Sequence, residues 1–101
     1  MNNERNYITI CHLEDHFGTG FLKVKDELIL KKEKDNIYDD EAIAVYKDAV
    51  RCGYVANSVC SVARGTLSAG RVYDRFEEEA SCLVRFIIED KAIAEVFVRK
   101  A

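Results

Sequence analysis

The sequence predicts a small, mostly β protein in which six short strands curl into a closed or half-closed barrel. Six runs of β-branched, aromatic and aliphatic residues recur at short intervals, separated by polar and glycine-containing turns. One short segment changes to a helical period. A small sheet of this kind hides its edges by curling. The 101 residues suffice for one core, so we expect a single domain spanning 1–101.

The first half of the chain contains four predicted strands. These strands are expected at residues 7–13, 28–32, 42–47 and 50–56. Glycines favour a turn at 17–20, and the polar segment 34–41 is typical of a loop. A tight turn at Asp48-Ala49 joins the third strand to the fourth. Gly53 is expected at a point where another backbone approaches the fourth strand closely.

The second half predicts one short helix and a hairpin. Asn57 or Ser58 is a suitable N-cap for a helix that runs to Ala63, with Gly65 as its C-cap. The stretch 66–76 mixes aromatic and cationic residues and predicts no definite element. Strands at 80–88 and 92–98 flank a polar turn and therefore predict a β-hairpin.

The charge balance argues against tight binding to duplex DNA. Fifteen Lys and Arg against 18 Asp and Glu leave a net charge of -3. Proteins that bind nucleic acid without reading its sequence normally carry a basic surplus, because neutralised phosphates release counterions. We therefore expect any nucleic-acid binding to be modest, salt-sensitive and dependent on cations gathered on one face.

The polar N-terminus and the cysteines predict a cytoplasmic protein. No signal peptide is recognisable, and no run approaches the ~20 apolar residues that a membrane span needs. Cys11, Cys52, Cys60 and Cys82 each have core-like neighbours. Buried free thiols in a reducing compartment are the simplest interpretation of these four residues.

The sequence predicts no metal centre, no cofactor and no catalytic site. Cys-x-x-Cys pairs are absent, and His12 and His16 straddle the end of a predicted strand beside Cys11. Those three residues are the one metal-binding alternative. Neither a Gly-rich phosphate loop nor a Gly-x-Ser-x-Gly elbow occurs. The acidic runs 39–41 and 77–79 are typical of solvated surface.

One stretch nevertheless carries a recognisable pattern. Residues 31–45 read KKEKDNIYDDEAIAV and are followed, after a tight turn, by Gly53-Tyr54-Val55. This arrangement resembles the HIRAN family, in which Asn-x-Tyr-Asp-x-x-Ala follows a strand and a short charged link. Upstream, residues 17–20 resemble the family's aromatic-x-Thr-Gly segment. The likeness covers about residues 7–65, with Ile37 in place of the usual proline.

The resemblance implies an OB-like barrel that binds the 3′ end of single-stranded DNA in a DNA-repair or replication-fork context. It implies stacking of bases on Phe17 and Tyr38, and a base-edge contact from Asn36. Asp39 would accept a hydrogen bond from a free 3′-hydroxyl and repel a phosphate. The remaining implied contacts are Tyr54, His16 and Asn57.

The family resemblance also bears on partners. HIRAN modules occur fused to helicase-like ATPases, whose motifs this chain does not contain, so we expect no enzyme activity. The expected partners are single-stranded DNA ends and a separately encoded helicase or nuclease, with no membrane involved. Cations for the phosphates would come from a set whose shared face the sequence does not determine: Lys31, Lys32, Lys34, Arg51, Arg71 and Arg75.

Structural explanations exist for the same residues. Asn36 is a residue type that stabilises turns by bonding its own backbone, and Asp39 or Asp40 is a suitable cap for a helical turn. Tyr38 and Tyr54 are also compatible with burial in the core. His16 and Asn57 stand where a DNA-binding member would carry cations. A protein-interaction or regulatory barrel that has lost DNA binding is therefore the alternative function.

Overall fold

The computed structural model describes residues 6–13, 18–57 and 62–97. Within these ranges six antiparallel strands form a closed barrel, as predicted. One short α-helix and one 3₁₀ turn, Thr19–Phe21, accompany them. The elements are β1 (Asn6–Cys11), β2 (Glu27–Lys32), β3 (Ile43–Lys47), β4 (Val50–Val55), α1 (Ala69–Tyr73), β5 (Glu79–Ile88) and β6 (Lys91–Phe97).

The order of strands around the barrel is β1-β4-β3-β2-β5-β6. Hairpins join β2 to β3, β3 to β4 and β5 to β6, and β2 pairs with β5. β1 closes the ring, since it pairs with β6 over five residue pairs and with β4 over two. Each of the six described strands thus has a partner on both sides, which protects the sheet from pairing with another chain.

Alternation along the strands builds the core. In β2, Leu28 and Leu30 are fully buried, whereas Ile29 and Lys31 are only partly covered. Ile8 and Ile10 of β1 point into the same core. Burying one such side chain contributes about 1.5–3 kcal/mol.

The strand boundaries agree with the sequence prediction to within one residue, except in β1. Its predicted end at residue 13 is wrong, because the strand ends at Cys11. His12 has a φ of 61°, a left-handed conformation that cannot continue a strand. Leu13 beyond it is still fully buried. Residue 98, the last of the predicted sixth strand, lies outside the described residues.

The predicted helix over 57–63 is not found in its described part. Residues 58–61 lie outside the described ranges, whereas Val62 and Ala63 are not helical. Hydrogen bonds to Thr9 of β1 hold the described residues of this region instead. The buried Thr9 hydroxyl accepts a hydrogen bond from the Ala63 N–H (3.0 Å) and shares another with the Thr66 hydroxyl (2.8 Å).

The α-helix lies in the stretch for which the sequence predicted no element. Ser68 is its N-cap, with extended φ and ψ and a side chain that accepts from the Arg71 N–H. Ala69 and Val72, three residues apart, are buried against the barrel. The Leu67 N–H donates to the Tyr7 carbonyl (2.7 Å), which holds the start of α1 against β1.

Three of the four cysteines are described, and they are buried free thiols: Cys11, Cys52 and Cys82. Cys60 lies outside the described residues. Burial raises the pKa of Cys52 to about 11 and that of Cys82 to about 12. In the part of the chain that the structure describes, no helix is long and apolar enough to cross a bilayer.

Gly53 lies where β4 meets β1, and the close backbone approach expected there is confirmed. A Cβ at this position would sit 2.7 Å from the Cys11 carbonyl oxygen and 3.1 Å from side-chain atoms of Ile10 and Leu13. Carbonyl oxygens of a paired strand cannot move aside as a side chain can. A side chain at 53 would therefore strain the barrel closure.

We predict that Gly53→Ala lowers the free energy of unfolding by about 1–3 kcal/mol, because the added methyl overpacks this junction. Gly20→Ala is the matched control, since a Cβ at that position would have no atom within 4 Å. Urea denaturation of both variants measures the difference. Equal stability of the two variants would contradict a tight β1–β4 contact.

We further predict that Cys52 and Cys82 resist thiol reagents in the native protein. Their raised pKa values keep both thiols protonated at pH 8, and burial blocks access. An aromatic disulfide reagent should modify these two thiols only after unfolding. The Cys52→Ser and Cys82→Ser variants, each lacking one of the two thiols, assign the reaction to the individual residues. Because both folded pKa values exceed the ordinary thiol value of 9.0, the free energy of unfolding should fall as pH rises from 9 toward 11.

Candidate nucleic-acid interface

The loop between β2 and β3, residues 33–42, has a shape set by one side chain. The Asn36 amide oxygen accepts hydrogen bonds from the N–H groups of Tyr38 (2.9 Å) and Asp39 (3.0 Å). Its amide nitrogen donates to Glu33 (3.1 Å). The Glu33 N–H donates to the Ala42 carbonyl (2.9 Å), which closes the base of the loop. Asn36 thus stabilises its own turn, as the structural interpretation of this residue predicted.

The tip of the 33–42 loop presents two large apolar side chains to solvent. Tyr38 is 92% exposed and Ile37 is 86% exposed. The alternative in which Tyr38 is wedged into the core is therefore wrong. An exposed ring on a turn whose backbone is already fixed offers a flat face for stacking at little conformational cost.

Asp39 and Asn57 connect the loop to α1. One oxygen of Asp39 accepts from the Glu41 N–H (2.9 Å), and the other lies 3.4 Å from the Asn57 amide nitrogen. The same nitrogen lies 3.4 Å from Glu41, and the Asn57 amide oxygen accepts from the Gly70 N–H (2.8 Å). Asn57 therefore joins the end of β4, the loop and the helix.

Tyr54 lies on β4 beside the base of the loop. Its hydroxyl is 3.0 and 3.2 Å from the two oxygens of Glu33 and accepts from Arg51 (3.1 Å). The His12 ring packs edge-on against it at 6.2 Å. Burial, and secondly the hydrogen bond to Glu33, raise the pKa of Tyr54. Tyr54 is half-buried, with its hydroxyl engaged by neighbouring side chains.

A β-bulge explains why Arg51 and Tyr54 meet. Tyr46 of β3 pairs with Arg51 and Val45 pairs with Gly53, so Cys52 is an extra residue in β4. The extra residue shifts the alternation, which brings two side chains three positions apart to the same side of the strand. Arg51 also bonds Glu33 (3.2 Å). Strand periodicity alone does not predict this cluster.

Hydrogen bonds link the five described candidate residues, Asn36, Tyr38, Asp39, Tyr54 and Asn57, into one surface. Phe17 and His16 lie outside the described residues. Sequence reasoning missed Glu33, which bonds both Asn36 and Tyr54, and Gly70, whose N–H bonds Asn57. The sequence could have indicated Glu33 through its position as the first loop residue after β2.

Most cations near the loop are already engaged. Lys31 pairs with Glu79 (3.7 Å), and Lys34 pairs with Glu78. Lys32 donates to the Phe76 carbonyl (2.6 Å), with its ammonium over the rings of Tyr73 and Phe76. Five of the nine residues from 33 to 41 are Asp or Glu, so this side of the barrel is acidic.

Nothing in the described ranges forms a metal centre. No group of three or more His, Cys, Asp or Glu is arranged there to hold an ion. Cys11 forms a weak hydrogen bond to the Tyr54 carbonyl, and His16 is outside these ranges.

A comparison with models of known protein families matches the HIRAN domain over residues 5–89. The chain belongs to the HIRAN family. The match covers β1 to β5, including the 33–42 loop and α1, and so extends beyond the 7–65 likeness seen in the sequence. HIRAN domains are generally modules that bind nucleic acid, single-stranded DNA in particular. No curated protein and no solved structure matched the chain in two further comparisons.

The Tyr54–Glu33 contact predicts a measurable titration effect. Glu33→Gln should lower the pKa of Tyr54, because it removes the nearby negative charge that disfavours the phenolate. The pKa should stay above its usual value, since burial is the larger cause. Carbon-13 NMR of ring-labelled tyrosine, assigned with Tyr54→Phe, follows this titration. An unchanged Tyr54 pKa would contradict the contact, and Asp40→Asn is a control in the same loop.

Proposed function

We propose that this HIRAN domain binds the 3′ end of single-stranded DNA, with the 33–42 loop recognising the terminal nucleotide. The observation that carries the proposal is Tyr38, which is 92% exposed on a loop held by the Asn36 side chain. A base stacked on such a ring is worth about 1–3 kcal/mol, whichever base it is. The family's general role in binding single-stranded DNA supports the same ligand.

Asp39 is the residue proposed to recognise the 3′ end of the DNA strand. Its Oδ1 is engaged by the Glu41 N–H, whereas the contact of its Oδ2 within the described residues is a long one, 3.4 Å from the Asn57 amide nitrogen. A carboxylate oxygen of this kind accepts a hydrogen bond from a sugar hydroxyl. It repels a terminal phosphate, which carries close to two negative charges. The free 3′-hydroxyl end is thereby preferred.

Asn36, Tyr54 and Asn57 support this surface in the proposal. Asn36 keeps Tyr38 and Asp39 at the loop tip, and Asn57 holds the loop against α1. Tyr54 anchors Glu33 at the loop base. Phe17 and His16, which the family pattern adds upstream, complete the proposed contact set.

The proposed setting is DNA repair or a replication fork, in the cytoplasm. A free 3′ end is the product or substrate of helicases and nucleases. The domain would act by binding, with a helicase or nuclease encoded elsewhere carrying out the chemistry.

Fluorescent oligonucleotides at low salt test the proposal. A strand with a free 3′-hydroxyl should bind more tightly than the same strand with a 3′-phosphate. Tyr38→Ala should weaken binding by about 1–3 kcal/mol for any terminal base. Phe86→Ala is the matched control, because Phe86 is also an exposed aromatic residue but lies far from the 33–42 loop. The start of β5, at Glu79, pairs with Lys31 near that loop, whereas Phe86 lies toward the other end of β5.

Asp39→Asn separates end recognition from stacking. The asparagine retains the acceptor for the Glu41 N–H but loses the charge, so the preference for the hydroxyl end should shrink. Equal affinity of the wild-type protein for both ends would remove the end-recognition role.

A second candidate function is a protein-interaction or regulatory barrel that has lost DNA binding. The net charge of -3 and the ion pairs of Lys31 and Lys34 favour it. Undetectable binding of the wild-type protein to any single strand at low salt would support this candidate over the first.

A further inference from the structure

Four cations in the described part of the chain form no ion pair and no side-chain hydrogen bond there. All four are exposed: Lys23, Lys25, Arg64 and Arg71. The other lysines and arginines of these ranges contact a carboxylate, a carbonyl or a side-chain amide. An arginine whose charge is not neutralised locally is available to a phosphate.

Among these four cations, Arg71 directly follows Gly70, which is hydrogen-bonded to the candidate interface. The N–H of the preceding residue, Gly70, donates to the Asn57 amide oxygen (2.8 Å). A Cβ on Gly70 would lie 2.7 Å from a carboxylate oxygen of Glu41, so the helix packs directly against the 33–42 loop. Asn57 in turn lies 3.4 Å from Asp39.

The backbone at Arg71 is fixed while its side chain remains exposed. The Arg71 N–H donates to both the carbonyl and the hydroxyl of Ser68, at 3.0 and 3.3 Å. Ala69 and Val72 on either side are fully buried and anchor the helix. A cation presented from a fixed backbone loses less freedom on binding than one in a flexible segment.

Electrostatics creates a need for such a cation. A single strand that reaches Tyr38 brings its phosphates toward a loop containing five carboxylates. Arg51 offsets one of these five, Glu33, whereas Lys31 and Lys34 are paired with Glu79 and Glu78 outside the loop. Asn57, where a cation would serve the phosphate, is neutral, but α1 bonds to this same residue.

We infer that Arg71 is the phosphate-binding residue of this interface and supplies from α1 the positive charge that position 57 lacks. The inference rests on the proposed function, because the phosphate belongs to the single strand whose end the loop binds. Its ligand is the sugar–phosphate backbone next to the terminal nucleotide. This contact adds affinity without regard to base sequence.

Salt dependence tests the inference. Affinity for a 3′-hydroxyl oligonucleotide is measured at several salt concentrations for the full chain and for Arg71→Gln. Losing one phosphate contact should reduce the slope of log K against log salt by about 0.7. The affinity deficit of Arg71→Gln should therefore grow about fivefold for each tenfold dilution of salt. Arg71→Lys should restore most of the slope, since it retains the charge.

Lys25→Gln is the matched control for net charge. Lys25 is exposed and precedes the first residue of β2, whereas the 33–42 loop follows the last residue of β2. The length of β2 between these two ends is about 17 Å. If the wild-type protein binds but Arg71→Gln keeps the wild-type slope, or loses no more slope than Lys25→Gln, the inference is overturned, and the proposed function is then decided by its own comparison of the two strand ends. If the wild-type protein binds no single strand, both are overturned. Thermal melts establish that each variant is folded.

Discussion

The junction between β1 and β4 is the constraint on which the rest of the structure depends. Only two residue pairs join these strands, yet they close the barrel. The approach is so close that a Cβ at Gly53 would meet the Cys11 carbonyl oxygen at 2.7 Å. Tyr54 follows Gly53 directly, and Asn57 follows the end of β4. Closure therefore determines where two residues of the candidate interface, Tyr54 and Asn57, stand relative to the 33–42 loop.

Hydrogen bonding turns residues that are far apart in sequence into a single surface. Glu33 accepts hydrogen bonds from Asn36 within the loop and from Tyr54 on β4. Asn57 contacts Asp39 on one side and Gly70 of α1 on the other. Each exposed bond of this kind adds little stability by itself, about 1 kcal/mol or less. Together they connect the loop to β4 and α1, and Ile37 and Tyr38 are its projecting part.

The electrostatic character of this surface is unusual for a domain from a family that binds nucleic acid. The chain is net acidic, and its cations near the loop are mostly neutralised by Glu33, Glu78 and Glu79. Under the proposed function, stacking and hydrogen bonding would carry more of the binding energy than counterion release. This charge distribution is consistent with the proposed binding at a strand end, where fewer phosphates are present than in the middle of a strand or in a duplex.

Local patterns in the sequence were enough to determine the strands and the family. Alternation in segments such as Leu28–Lys32 depends on a residue's immediate neighbours, and the tight turns carry their own chemistry. The Asn36-x-Tyr38-Asp39 motif likewise indicated both the HIRAN family and the turn that Asn36 forms. These features need no knowledge of distant contacts. The same reasoning assigned no element to the stretch that contains α1, because the hydrogen bond from Leu67 to β1 that holds the start of this helix is a tertiary contact.

Only the tertiary structure decided which side chains are exposed and which charges remain available. Tyr38 and Tyr54 are equally plausible core residues by composition, but one projects into solvent and the other bonds Glu33. The bulge at Cys52 and the docking of Gly70 on Asn57 join residues that lie on different elements. Local periodicity carries no information about such pairs, since it describes one element at a time and these contacts join two.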